Sequence, residues 1–191
     1  EINYTLLPPA KNFEDVYFQI EEIGNLINKV GESKNLVSLM KNDVKEIIEG
    51  FSVENIRVFH EIGFTYGIYT INENSFIGEI YNLLGIENIA NLKEDPFGSG
   101  YPEFSEEEVI NSDPNLIVVG HSDYLNKDLS TRIGWEEITA VESRNFYFLD
   151  ENLANNWGPS TVDLLNTLSE IGQAQQDPGL IYLNKYNEEI Q

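Results

Sequence analysis

The sequence has no cysteine, so disulfides, thiolate nucleophiles and thiolate metal sites are all excluded. It is also poor in basic residues: 11 Lys and Arg stand against 33 Asp and Glu, a formal charge of −22. Such a chain repels nucleic acids and anionic bilayers, which removes nucleic acid from the list of partners. The acidity fits attraction to cations or to a basic partner, and it equally fits simple solubility. No run approaches the ~18 apolar residues of a membrane span. The chain opens on Glu1-Ile2-Asn3-Tyr4-Thr5-Leu6-Leu7, which has no signal-peptide pattern. It reads as a strand already under way, so an upstream segment is expected. What is present suffices for one domain with a real core: 41% of the 191 residues are hydrophobic.

Pro8-Pro9 breaks the expected strand, and Asn12 reads as a helix N-cap with Asp15 at the third helical position. Phe13, Val16, Tyr17, Ile20, Ile23 and Ile27 form a 3.6-residue stripe, interrupted at Gly31. A second helical stretch carries Leu36 to Ile48 and ends at Gly50, long enough to brace one domain against another. Ile56 to His60 is a short strand, Gly63 to Asn74 a loop, and Phe76 to Leu84 a helix stopped by Gly85. A polar loop leads to Tyr101, and Ser105 with Glu108 forms a capping box for a short acidic helix. Leu116 to Val119 is an unalternating apolar run, as in a strand buried on both faces. Trp135 to Ile138 reads as a helical turn, Asn145 to Leu149 as a strand, and Ser160 to Ile171 as a closing helix. Alternating strands and helices predict an α/β, Rossmann-like fold with a mainly parallel central sheet.

Several constellations invite chemistry. Gly120-His121-Ser122-Asp123-Tyr124 begins like a nucleophile elbow but has Tyr124 where a second glycine belongs. His60 and His121, the only histidines, could join carboxylates around Zn²⁺ or Mn²⁺, although no ligand spacing supports it. Gly98-Ser99-Gly100 lacks the lysine of a phosphate-cradling loop. Phe64, Tyr66, Tyr69, Tyr101, Phe104 and Trp157 fall in loops or at strand ends. Aromatics there either line a pocket beyond the sheet or plug its end.

The order of segments resembles the ABC-importer binding proteins whose two lobes are joined by a long backbone helix, the receptors for cobalamin, haem and ferric siderophores. The likeness runs from Phe13 to Ile171. It rests on Phe13 to Gly24 as the start of the linking helix, Val58-Phe59-His60-Glu61, Tyr69-Thr70 and Asn74 to Ile80. Leu83-Leu84-Gly85-Ile86-Glu87-Asn88-Ile89-Ala90, Tyr101 to Ile110, Asp113 to Val118, Gly134 to Val141 and Asn145 to Leu149 follow in order.

The resemblance implies a non-enzymatic protein that closes two lobes on a metal chelate, without a cofactor of its own, and delivers it to a permease with its ATPase. Residues 1–12 would be the last strand of a missing N-terminal lobe and the entry to the linker. Residues 13–50 would be the inter-lobe helix region, 51–173 the C-terminal ligand-binding lobe and 174–191 a polar tail. The resemblance places Tyr69, Tyr101 and the loop from Glu61 to Tyr66 on the cleft side. It assigns Glu107 to docking against permease arginines, with Glu106 and Glu108 as neighbouring candidates in register. It also implies an extracytoplasmic location, with signal or anchor upstream. Several relatives carry an arginine before the last helix; here Asn155-Asn156-Trp157-Gly158-Pro159-Ser160 has none. That departure counts against a clamp for haem propionates or phosphate and favours an aromatic, hydrogen-bonding site. The expected ligand is thus cobalamin or a ferric siderophore ahead of haem, with its identity left open. A Zn²⁺ or Mn²⁺ binding protein, and a lobe reused for sensing or adhesion, are the alternatives.

Overall fold

Asn12 starts the first helix by accepting the Asp15 amide on its side chain at 2.9 Å, satisfying one of the orphan donors of the first turn. The computed structural model describes residues 4–122, 127–155 and 158–175. In it, α1 (Phe13–Leu26) buries Phe13, Val16 and Tyr17, the first part of the predicted stripe, while Ile23 and Ile27 at its far end are exposed. The interruption falls at 27–29 and not at Gly31: Asn28 takes φ +59°, while Gly31 lies inside α2 (Val30–Gly50). Asparagine tolerates left-handed backbone because its short polar side chain bonds locally. Segment 13–50 is thus two helices, as the two apolar stretches predict, with the break at 27–29. Gly24 of α1 meets Ser33 of α2, and Glu14 pairs with Lys41 at 3.2 Å, so the helices run antiparallel. A Cβ on Gly24 would lie 2.1 Å from Ser33 Oγ, which explains the glycine at this approach. With 21 residues, α2 spans about 30 Å. Residues 4–12 contain neither helix nor strand. The strand expected over Ile2 to Leu7 is thus not formed at 4–7, where no described strand offers a ladder; residues 2 and 3 lie outside the described residues.

The sheet is built from β1 (Arg57–Gly63), β2 (Ile68–Thr70), β3 (Glu87–Asn88), β4 (Glu103–Phe104), β5 (Leu116–Val119) and β6 (Phe146–Phe148). Its order is β4-β2-β1-β5-β6, with β3 also paired to β1. Pairings of β1 with β3 and β5, and of β5 with β6, are parallel; β2 runs antiparallel to β1 and β4. The largely parallel sheet flanked by helices matches the predicted α/β class. Three strands, β2, β3 and β4, were not legible in the sequence, because runs of two or three residues, with β2 joined through an irregular register at Glu61/Gly63, give too short an alternation to read. The run Leu116 to Val119 is the strand between β1 and β6, buried at every position.

One sheet face, with Val58, Leu116, Val118 and Tyr147, packs on α1, α2, α3 (Phe76–Leu83) and α7 (Thr161–Ala174). The other, with Phe59, Ile117, Val119, Phe146 and Phe148, is covered by α4 (Glu106–Ser112), Trp135, Ile138 and α5 (Thr139–Glu142). A further short helix, α6 (Glu151–Asn155), follows β6. Of the expected polar tail, Ala174 still ends α7 and packs on the core; residues 176–191 lie outside the described residues.

Two contacts here predict measurable behaviour. A Cβ on Gly78 would sit 2.0 Å from the carbonyl oxygen of Asn72, a backbone atom with no rotamer to yield. Gly78→Ala is expected to cost about 1–3 kcal/mol in urea denaturation, as overpacked sites do. His60 of β1 lies fully buried with Nδ1 2.7 Å from the Tyr81 hydroxyl of α3. Burial, then the neighbouring His121, push its pKa from 6.5 down to about 3. The folded state therefore binds this proton less readily than the unfolded chain. The stability it contributes is complete above pH 6.5 and is lost as pH falls toward 3. Between pH 6.5 and 4.5 the wild type should lose about 2–3 kcal/mol more than His60→Gln, read from denaturation midpoints across that range.

Candidate functional site

The parallel strands β1, β5 and β6 release the chain at one end of the sheet, into segments beginning at Phe64, Gly120 and Leu149. In open α/β sheets this carboxyl edge is where ligands bind. Strand alternation sends His60 to the face of α3 and Glu61 to the opposite face. Glu61 is 0% exposed. Its Oε2 accepts from Arg132 Nη1 at 2.5 Å, its Oε1 accepts from Nη2 at 2.9 Å, and His121 Nε2 lies 2.8 Å from Oε1. The Arg132 guanidinium also lies 4.0 Å from the ring centre of Phe64 and 4.3 Å from that of Trp135, within cation–π reach of both. Burial pushes the Glu61 carboxyl up, but the hydrogen bonds and charge of Arg132 and His121 outweigh it and hold the group below the usual carboxylate range. Glu61, expected on the cleft surface, is thus the internal counter-ion of Arg132. Phe64 is half-buried over that ion pair, with one face already occupied.

Other sequence-predicted aromatics do reach solvent. Tyr66, in the β1–β2 loop, is 92% exposed. Tyr69 of β2 lies opposite Glu103, and the ladder continues as Thr70 N–H donates to the Pro102 carbonyl at 3.1 Å and Asn72 N–H to the Gly100 carbonyl at 2.9 Å. This register puts Tyr101 opposite Ile71, so Tyr69 and Tyr101 project from the same face at the edge of the sheet. They are 37% and 45% exposed. Phe104, by contrast, is buried in the second core cluster. Trp157 lies outside the described residues.

The loop leading to Tyr101 is held by Asp95, a residue that sequence reasoning passed over. Its carboxylate accepts from Gly100 N–H at 2.7 Å, Ser99 N–H at 3.1 Å and Asn72 Nδ2 at 3.2 Å. These bonds, the Gly100 amide foremost, keep it below its ordinary pKa. The cue was Asp95-Pro96 followed by Gly98 and Gly100, a turn pattern with an acceptor at its start.

The three glutamates of α4 divide into two kinds. Glu108 closes the capping box, accepting Ser105 N–H at 2.8 Å, and also receives the Lys93 ammonium. Lys93 first, then the Ser105 amide, hold it below the usual range. Its carboxylate is committed within the lobe. Glu106 and Glu107 are exposed.

The remaining motifs are taken up structurally. Ser122 Oγ donates to Glu151 at 2.8 Å, while His121 meets Glu61, so no serine–histidine relay is assembled. With His60 facing Tyr81, the two histidines do not converge, and no group of three metal-ligating side chains occurs among the described residues. No helix among them is long and apolar enough to cross a membrane.

Comparison with known proteins accounts for this arrangement. The family model for periplasmic binding proteins matches residues 1–153. An uncharacterized ABC transporter substrate-binding lipoprotein of Bacillus subtilis is 30% identical over 165 residues, covering 84% of this chain and 51% of that protein. A cobalamin-binding protein of Halobacterium salinarum is 26% identical over 162 residues, 81% of this chain and 42% of that one. In fold, a solved structure from Staphylococcus epidermidis, described as a possible iron-binding (periplasmic solute-binding) protein, superposes with a TM-score of 0.75 at 22% identity. It covers 87% of this chain and 65% of that one. The chain spans about half the length of the curated relatives it matches. With its family model matched over most of its length and its sheet and helices arranged as in a solved relative, the chain belongs to the periplasmic binding protein family.

Proposed function

We propose that this chain is the C-terminal lobe, with its bracing helices, of the substrate-binding component of an ABC importer. In this reading it captures a metal chelate, cobalamin or a ferric siderophore ahead of haem, against an N-terminal lobe and delivers it to the permease outside the cytoplasm. The observation that carries the reading is the exposed pair Tyr69 and Tyr101 on one face of the β2–β4 edge, in a lobe with a cobalamin-binding relative. Aromatic faces suit large, partly apolar chelates because they offer contact area with few rotamers to freeze. The α1–α2 pair supports it further, since a 21-residue helix is stiff enough to restrain a hinge between lobes. Docking on the permease is assigned to Glu107 with Glu106 beside it, both exposed and acidic; Glu108, already bonded to Lys93 and Ser105, is the lesser candidate.

The test is a tryptophan-fluorescence titration of the protein carrying its N-terminal lobe, with cyanocobalamin, ferrichrome, ferrioxamine B, haemin, Zn²⁺ and Mn²⁺. Saturable sub-micromolar binding of one chelate is expected, weakened about tenfold, ~1.4 kcal/mol, by Tyr69→Ala or Tyr101→Ala. Binding of bare metal ions alone, or of nothing in the set, would overturn the reading. Glu107→Gln is expected to leave chelate affinity unchanged and to reduce stimulation of the permease–ATPase complex in nanodiscs several-fold. Unaltered stimulation would remove Glu107 from docking.

A further inference from the structure

The charges at the carboxyl edge of the sheet narrow the class of chelate. The described segments at this edge are 61–68, 120–122, 127–132 and 149–155, and they contain two basic residues, Lys127 and Arg132. Arg132 is spent internally. Its guanidinium makes a two-bond fork with the fully buried Glu61 and lies 4.0 Å from the ring centre of Phe64 and 4.3 Å from that of Trp135. A guanidinium so paired presents no net charge outward. Lys127 is half-buried, its ammonium 6.0 Å from the Phe148 ring centre. Farther along the edge, Lys93 is held by Glu108. The same segments carry Asp128, Asp150 and Glu151 besides the neutralised Glu61, on a chain of net charge −22.

From this arrangement we propose that the lobe selects chelates that are neutral or cationic on the face they present to it, and discriminates against those presenting carboxylate or other anionic groups. The proposal rests on the chelate-binding reading above and specifies its ligand class. An anionic group at this edge would lose its hydration and meet carboxylates, with the Arg132 guanidinium already paired to Glu61. A cationic or amide-bearing face meets tyrosine hydroxyls, ring faces and a favourable field.

Matched ligands isolate the charge. Ferrioxamine B ends in an ammonium; its N-acetyl derivative is neutral and its N-succinyl derivative ends in a carboxylate, all three around the same iron core. Cyanocobalamin and its monocarboxylate, with one side-chain amide hydrolysed, form a second set. Calorimetric titration of the protein with its N-terminal lobe should show the carboxylate member binding at least tenfold more weakly than its neutral partner in whichever set binds. The gap should narrow as salt screens the field. Glu61→Gln uncovers the Arg132 charge and is expected to shrink the gap; the wild-type comparison stands alone if that variant fails to fold. Equal or tighter binding of the carboxylate member would overturn the proposal and leave the chelate reading intact. Failure of both sets to bind, together with failure of ferrichrome and haemin, would refute the chelate reading, and the proposal with it.

Discussion

A carboxylate in the middle of a buried strand must be neutralised, and much of one sheet face is organised around that requirement. Glu61 lies on β1 with the interior on its own side, where an unpaired charge costs several kcal/mol. Arg132, 71 residues away in sequence, supplies the counter-charge. Its fork geometry ties the segment around Trp135 to the end of β1 and clamps Phe64, the first residue of the β1–β2 loop. His121, just past β5, completes the network, so three segments of the carboxyl edge share one ion pair.

With that edge fixed, the lobe separates its tasks by position. The face of α1, α2, α3 and α7 is apolar and contributes most of the core, while the edge formed by β2 and β4 turns two tyrosines to solvent. The loop before Tyr101 reaches its shape through backbone donors gathered on Asp95, so the ring stands on a preformed turn. Acidic side chains follow a similar economy. Glu108 is consumed in capping α4 and binding Lys93, and its neighbours Glu106 and Glu107 remain outward.

The sequence reading was strongest where a signal is local. The capping box at Ser105, the cap at Asn12, the buried run Leu116 to Val119 and the turn at Trp135 all appear in the structure where their patterns place them. It was weakest where the deciding contact lies far along the chain. Gly31 looked like a helix break because glycine is a poor helix former, yet Asn28 makes the turn, since α1 must fold back where Gly24 meets Ser33. The three residues of β2 became a strand only because β1 and β4 flank them.

The site divides the same way. Its residue types and their position after strands were legible, and so was the order of segments that identifies the family, because those are properties of short stretches. The sequence by itself therefore determined the α/β class, the family and the aromatic and acidic character of the candidate edge. Only the tertiary structure decided which of the candidates face outward. A period of two along a strand assigns residues to alternate faces without saying which face is covered, and the covering segment around Arg132 comes from far down the chain. That covering turned Glu61 inward as a counter-ion and committed Arg132 internally. Pairing of β2 with β4 left Tyr69 and Tyr101 side by side at the edge.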